Sequence, residues 1–403
     1  MPELRGLRGR RRVASQAPAT PDGVTYYDHE DNERKVVASQ APATPESVNS
    51  RATGGTPQSV PPGSSEWLAG QRDAVEIEFR AVTKYYPGQQ TPAISSLSMV
   101  VPAGAICCLV GPSGGGKTTA MKLVNRLIEF TEGDILIGGR SVRSVDATSL
   151  RRDIGYVIQH VGLFPHMTIA ANIGVVPTLL GWPKDRTRQR VSELLDLVRL
   201  DPGFARRYPA QLSGGQQQRV GLARALAVDP PVMLMDEPFG ALDPITRSRI
   251  QNEFLRLQQQ IKKTVIFVTH DIDEAIKMGD RIAVLREGGI LAQYGTADEL
   301  LGHPVDDYVA DFVGADRGLK RLSLRRVGDL VGDQPAIRVP ADAPAVTADT
   351  SARVALSVLF TSSANVLAVT GEDGAPLGAV TLEHLREVAG AAEPLAGAKG
   401  QAR

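Results

Sequence analysis

Gly111-Pro112-Ser113-Gly114-Gly115-Gly116-Lys117-Thr118-Thr119 decides the fold. The stretch fits G-x-x-x-x-G-K-[ST], the phosphate-binding P-loop, and stands where that pattern must stand. Before it comes a short apolar run, Ala105-Ile106-Cys107-Cys108-Leu109-Val110. After it, Ala120, Leu123, Val124 and Leu127 fall at i, i+3, i+4, i+7, one face of a helix. A buried strand therefore turns through glycines into an amphipathic helix. The glycines let backbone N–H groups curl toward phosphate oxygens, and the helix N-terminus adds the positive end of its dipole. In this pattern Lys117 reaches the β- and γ-phosphates and the Thr118 hydroxyl ligates Mg²⁺. Gly111, Ser113, Gly114, Gly116, Lys117, Thr118 and Thr119 are the nucleotide-binding candidates. The alternative, a Gly-rich turn with no ligand, is set aside because strand, loop, Lys-Thr pair and helix all agree.

Working outward, 403 residues are enough for two or three domains. The chain carries 45 Lys and Arg against 45 Asp and Glu, so it lacks the broad basic field of a nucleic-acid binder. No window approaches the roughly 18 apolar residues of a membrane span. The N-terminus is rich in arginine (Arg5, Arg8, Arg10, Arg11, Arg12), but no apolar core follows it as in a secretory signal. Cys107 and Cys108 are the only cysteines. Adjacent strand positions point to opposite faces, which predicts buried packing instead of a disulfide or metal site. The expectation is a soluble cytoplasmic protein that meets a membrane only through partners.

Residues 1–72, rich in Pro, Ser, Ala, Gln and Arg, are expected to be disordered, and VASQAPATP recurs identically at 13–21 and 37–45. From Val75 the pattern changes: Val75, Ile77 and Phe79 alternate with Glu76, Glu78 and Arg80, as in a half-buried strand. A second strand is expected over 96–101. Between them lies Lys84-Tyr85-Tyr86-Pro87-Gly88. Tyr86 either covers a sheet edge or stacks on a nucleotide base, since a ring face accepts a purine with little hydrogen-bond demand.

Beyond the P-loop, residues 154–159 (IGYVIQ), 232–237 (VMLMDE), 264–269 (TVIFVT) and 281–285 (RIAVL) read as short buried strands. Val191, Leu194, Leu195 and Val198 mark one helix face, and Ile250, Phe254, Leu257 and Ile261 another. Apolar strands ending in polar residues are the pattern of a parallel sheet with its site at the strands' C-terminal edge. The strand at 232 runs into Asp236-Glu237, read as a Mg²⁺ partner and a water-activating base. The strand at 264 ends at His270. Leu212-Ser213-Gly214-Gly215-Gln216 opens a helix, and Thr296 with Glu299 forms a capping box.

With these motifs in this order, residues 73–315 resemble the nucleotide-binding subunit of ABC transporters. The resemblance implies an α/β P-loop NTPase with a mixed sheet core and a helical subdomain, an ATPase using ATP and Mg²⁺. It implies that Tyr86 stacks on the base and that Ser213, Gly214 and Gly215 grip the γ-phosphate. Asp236 would hold Mg²⁺ with Thr118 and Gln159, Glu237 would polarise the attacking water, and His270 would contact the γ-phosphate. Asp243, in Ala241-Leu242-Asp243, would read the other subunit's site. The implied partners are a second copy of the chain, two membrane permease subunits and an extracytoplasmic substrate-binding protein acting through the permease, with no nucleic acid. The implied location is the cytoplasmic face of the membrane.

Residues 154–159 with Gly162-Leu163-Phe164-Pro165-His166-Met167-Thr168-Ile169 and Asn172-Ile173, and Phe312-Val313-Gly314-Ala315-Asp316-Arg317 running into Leu319-Lys320-Arg321-Leu322, resemble the ATPases of quaternary-amine osmoprotectant importers. That implies glycine betaine, choline or carnitine as cargo, with amino acids, polyamines or anions as alternatives. A non-transport ABC ATPase joins two nucleotide-binding halves or inserts long coiled coils, and this chain does neither. Residues 316–345 are expected to be a linker. In 346–392, NVLAVT at 365–370, the turn 371–374, LGAV at 377–380 and the helix from Leu382 look like one cystathionine-β-synthase-type (CBS) motif. An unrelated hairpin–helix module fits the same residues. A lone motif would leave one face to pair with its copy in the second subunit. Residues 393–403 are expected to be a disordered tail.

Overall fold

The computed structural model describes residues 73–159, 162–331, 339–340 and 342–390. The disorder expected for 1–72 and 393–403 lies outside the described residues. A six-stranded sheet runs in the order Ile290–Gly295, Arg281–Arg286, Ile106–Val110, Thr264–Val268, Val232–Asp236, Ile154–Val157. Its neighbours are parallel except for the first pair, which is a hairpin. The strands Ile106–Val110 and Thr264–Val268 are buried at every position and Val232–Asp236 at all but its last, because a parallel sheet is covered on both faces. Alternate residues feed two cores. Cys108, Val110, Met233, Phe267 and Val284 pack with the helical side. Cys107, Leu109, Leu234, Ile266 and Leu285 pack against the helix Lys117–Val124 and a second sheet. Both cysteines are fully buried, and burial pushes the Cys107 thiol up to about 12 and the Cys108 thiol well above its usual range.

The second sheet is antiparallel, in the order Ile94–Val101, Ile77–Lys84, Glu132–Ile137, Arg140–Ser141. The sequence reading found the first two of these strands and missed Glu132–Ile137, whose apolar end is only three residues long. The helix after the P-loop is shorter than its periodicity predicts. Asn125 caps it, Arg126 turns the chain at φ +50°, and Leu127 is 47% exposed instead of extending the apolar face.

The stretch read as a linker is partly helical. Arg317–Leu324 forms a helix and Val327–Leu330 a single turn. Leu322 and Val327 are buried in one cluster with Leu359, Leu367, Val380 and Leu385. That cluster is the core of a module in the order strand Ala345–Thr347, helix Ala352–Ser362, strands Val366–Thr370 and Pro376–Thr381, and helix Leu382–Ala389. The first two strands are parallel and the last two antiparallel. The helix Arg317–Leu324 also faces the larger unit. Arg321 Nε donates to Asp298 Oδ1 at 2.8 Å, Arg325 pairs with the same carboxylate, and Lys320 Nζ bridges Asp273 and Asp316 at 3.1 Å each. Among the described residues no helix is long and apolar enough to cross a membrane.

Candidate active site

The P-loop leaves the end of the strand Ile106–Val110 and folds back over the start of the helix Lys117–Val124. Gly116 sits at φ +77°, where a Cβ would lie 2.4 Å from the Ala93 carbonyl and 2.6 Å from Ile94 Cδ1, so only glycine fits. Gly114, at φ +80°, has nothing within 4 Å of that position and leaves the space in front of the loop open. Lys117 is 8% exposed, and its ammonium donates to the carbonyls of Gly111 (2.9 Å) and Pro112 (2.8 Å). Burial pulls its pKa down, opposed by the charges of Glu237 and Asp236.

A cleft of about 1060 Å³ opens above this loop. Ser113, Gly114, Gly116, Lys117, Thr118 and Thr119 line it from the P-loop, Tyr86 from one side and Glu237 from another. The Tyr86 hydroxyl lies 3.3 Å from Thr119 Oγ1, and the Lys84 ammonium sits 5.3 Å from the centre of its ring. Gln89, Thr91, Glu287, Gly288 and Ile290 complete the rim. The sequence reading singled out none of them as site residues, because 286–289 reads as an ordinary turn and only the sheet packing brings it beside the P-loop.

At the far end of the cleft three chain segments converge on one carboxylate. Glu237 follows the strand Val232–Asp236, and its backbone takes φ +41°, a left-handed conformation that costs a glutamate energy and persists only when its surroundings fix it. Its N–H donates to the Val268 carbonyl at 3.0 Å, which supplies part of that constraint. Gln159 Nε2 donates to Glu237 Oε2 at 2.9 Å, and His270 Nδ1 lies 3.2 Å from Oε1. Asp236 Oδ1 accepts from the Thr118 hydroxyl at 3.0 Å. Burial raises the Asp236 pKa, against the Thr118 hydrogen bond and the nearby Lys122 and Lys117 charges. The Thr118 hydroxyl, the Asp236 carboxylate and the Gln159 amide oxygen are hard oxygen donors, few in number. That suits Mg²⁺, which keeps several of its waters and takes one or two protein ligands.

Ser213, Gly214, Gly215 and Asp243 are not among the residues lining this cleft. Ser213 caps the helix Gly214–Ala225, its hydroxyl accepting from the Gln216 N–H while the Gln216 side chain accepts from the Ser213 N–H. Its exposed N-terminus points a helix dipole at solvent. Asp243 is exposed and caps the helix Pro244–Ile261 through the Thr246 N–H at 3.0 Å, and that N–H holds its carboxyl below the usual range. The segment 164–168 is locked by Asn172, which is fully buried. Its Oδ1 accepts from the Phe164 N–H at 2.7 Å, and its Nδ2 donates to the carbonyls of Phe164, Met167 and Thr168.

Residues 94–240 match the ABC transporter family. The chain is 49% identical over 318 residues to the osmoprotectant import ATP-binding protein OsmV of Salmonella typhimurium, covering 78% of this chain and 81% of that protein. It is 46% identical over 304 residues to the choline transport ATP-binding protein OpuBA of Bacillus subtilis, covering 75% and 77%. Among solved structures, a dimeric bacterial ABC transporter cassette superposes with a TM-score of 0.50 at 35% identity, over 55% of this chain and 98% of that one.

Proposed function

This chain belongs to the ATP-binding proteins of ABC transporters and is an ABC-type ATPase, and on that premise we propose that it energises the import of quaternary-amine osmoprotectants such as glycine betaine, choline or carnitine. The observation that carries the hydrolytic part is the Glu237 carboxylate, held between Gln159 and His270 at the end of the cleft floored by Lys117 and Thr118. ATP is the substrate. Backbone N–H groups of the P-loop and the Lys117 ammonium take the β- and γ-phosphates, and the Tyr86 ring takes the base. Bound Mg²⁺, held by Thr118, Asp236 and Gln159, would neutralise phosphate charge. Glu237 orients the attacking water and receives its proton, while His270 contacts the γ-phosphate from the other side of that carboxylate.

Ser213, Gly214 and Gly215 stand outside this cleft. This supports a homodimer in which each chain's signature segment closes the other's P-loop, with Asp243 beside the shared sites. Two permease subunits would receive the motion at the cytoplasmic face of the membrane, and an extracytoplasmic substrate-binding protein would deliver cargo to them. The strand–helix–strand–strand–helix order of 345–389 supports a single CBS-like module, paired across the dimer. The domain plan we propose is a nucleotide-binding domain over 73–315 followed by this module.

The relatives' names support the cargo, and reconstitution tests it. ATPase activity of the complex with its permease and receptor should rise when glycine betaine, choline or carnitine is added. Indifference to all three, with stimulation by an amino acid, polyamine or anion, replaces the cargo and leaves the ATPase standing.

A further inference from the structure

The contacts around Glu237 close into a ring, and we infer that Arg247, Gln251 and Glu274 are positioning residues that hold the segment 240–243 and His270 in fixed relation to the Glu237 carboxylate during hydrolysis. The inference rests on the ATPase function proposed above.

One arm of the ring starts at the Glu237 backbone. Its carbonyl accepts from the Gly240 N–H at 3.2 Å, so the segment 240–243 hangs directly from the residue that takes the proton. Arg247, in the first turn of the helix Pro244–Ile261, folds back over that segment. Its Nη2 donates to the Leu242 carbonyl at 3.0 Å and reaches the Gly240 carbonyl at 3.4 Å, and its own N–H donates to the Asp243 carbonyl at 2.8 Å. Its Nε is buried without a hydrogen-bond partner, a cost that exposure to solvent would relieve. The guanidinium is therefore held in place by the carbonyls it clamps and by the negative charge of Glu274.

The other arm runs from the same helix to His270. One turn beyond Arg247, Gln251 is 5% exposed, and its Nε2 donates to Glu274 Oε1 at 2.9 Å. Its Oε1 accepts from the Lys277 ammonium at 2.9 Å, which fixes the orientation of the amide. Glu274 lies in the helix Ile272–Met278, which begins directly after His270 and Asp271. The Thr269 hydroxyl, next to His270 and buried, bonds the Glu274 carboxylate and accepts from the Asp271 N–H at 3.1 Å. His270 Nδ1 then returns to Glu237 at 3.2 Å.

A buried carboxylate is a poor way to gain stability, because desolvation offsets much of what its partners return. It is a good way to fix geometry, because each partner has one direction in which its bond can form. Glu237 needs such fixing: its left-handed backbone is held only while its neighbours over-determine it. Loosening either arm releases the carboxylate from the water it orients, while the P-loop, Lys117 and Tyr86 are untouched.

The test is steady-state hydrolysis and binding of a fluorescent ATP analogue by the full-length chain, with Arg247→Ala, Arg247→Lys, Glu274→Ala and Glu274→Gln. The alanine variants should lose about tenfold in kcat while KM and nucleotide Kd stay within about twofold. Glu274→Gln should recover most of that loss, because an amide oxygen still accepts from Gln251, and Arg247→Lys should recover part. If Glu274→Ala does not fold, since it strands the Gln251 amide, Arg247→Ala at a partly buried site carries the same test. Wild-type kcat in the alanine variants, or a kcat loss matched by an equal loss of nucleotide affinity, overturns the inference and leaves the ATPase in place. A wild-type chain that hydrolyses no ATP, alone or with its permease, removes the proposed function and this inference together.

Discussion

Replacing Glu237 by glutamine changes one oxygen to an NH₂ and almost nothing else. The side chain keeps its length, and in one amide orientation its oxygen still accepts from Gln159 Nε2, now 2.9 Å from Oε2. What disappears is the base proposed above. A positioned general base contributes about 10²–10⁴ in rate, equivalent to about 2.7–5.5 kcal/mol of activation free energy. Hydrolysis should fall by at least about a hundredfold, because Glu237 is the carboxylate that Gln159 and His270 hold at the end of the cleft. Nucleotide binding should survive. The groups proposed to hold phosphate, Lys117 and the loop amides, lie in the P-loop, and removing a negative charge that acts on Lys117 lessens repulsion of the γ-phosphate. The assay pairs phosphate release with size-exclusion chromatography in ATP and Mg²⁺, where the variant should accumulate as a stable dimer. Turnover within about threefold of wild type refutes the role of Glu237, whatever the dimer does.

Lys117→Ala removes a buried ammonium poised among the loop carbonyls. It should weaken ATP binding by about a hundredfold, the scale of two charge-assisted hydrogen bonds, read by fluorescent-nucleotide titration. Gly116→Ala drives a methyl into the Ala93 carbonyl and Ile94, so it should abolish nucleotide binding and lower Tm strongly, whereas Gly114→Ala, with open space but a φ of +80°, should lower Tm by only a few degrees through backbone strain. Arg321→Met breaks the clamp on Asp298. The Arg321 hydrogen bond, with the charges of Arg321 and Arg325, holds that carboxyl below its usual range. A depressed carboxylate stabilises the fold above the unfolded pKa near 4 and loses that contribution as pH falls further. The wild-type advantage in thermal unfolding, about 1 kcal/mol, should therefore be full at pH 7 and shrink as pH falls below about 4 through the lowered pKa of Asp298. An unchanged gap at pH 3 would show that the guanidinium acts through packing alone.

What the sequence could specify is local. The P-loop is legible because its strand, glycines, Lys117 and helix are contiguous, and steric demand at Gly116 and helix-terminus geometry act over a few residues. The capping box of Thr296 and Glu299 forms as its spacing requires, each side chain meeting the other's N–H. The apolar strands at 106, 232, 264 and 281 were readable because both faces of a parallel sheet must be greasy.

Tertiary structure decided the rest, since it depends on pairings far apart in the chain. Cys107 pairs beside Ile266 and Arg281, and no periodicity within the strand says which neighbour it will have. Only that strand order carries His270 and Gln159 to Glu237, and gives Glu237 a left-handed backbone that its residue type disfavours. The helix at 317–324 hid in an apparent linker because its stability comes from two surfaces at once: Leu322 in the small core and the cations on Asp273 and Asp298. Local chemistry chose the nucleotide cradle. Long-range packing chose which carboxylate faces it, and left the signature segment outside it.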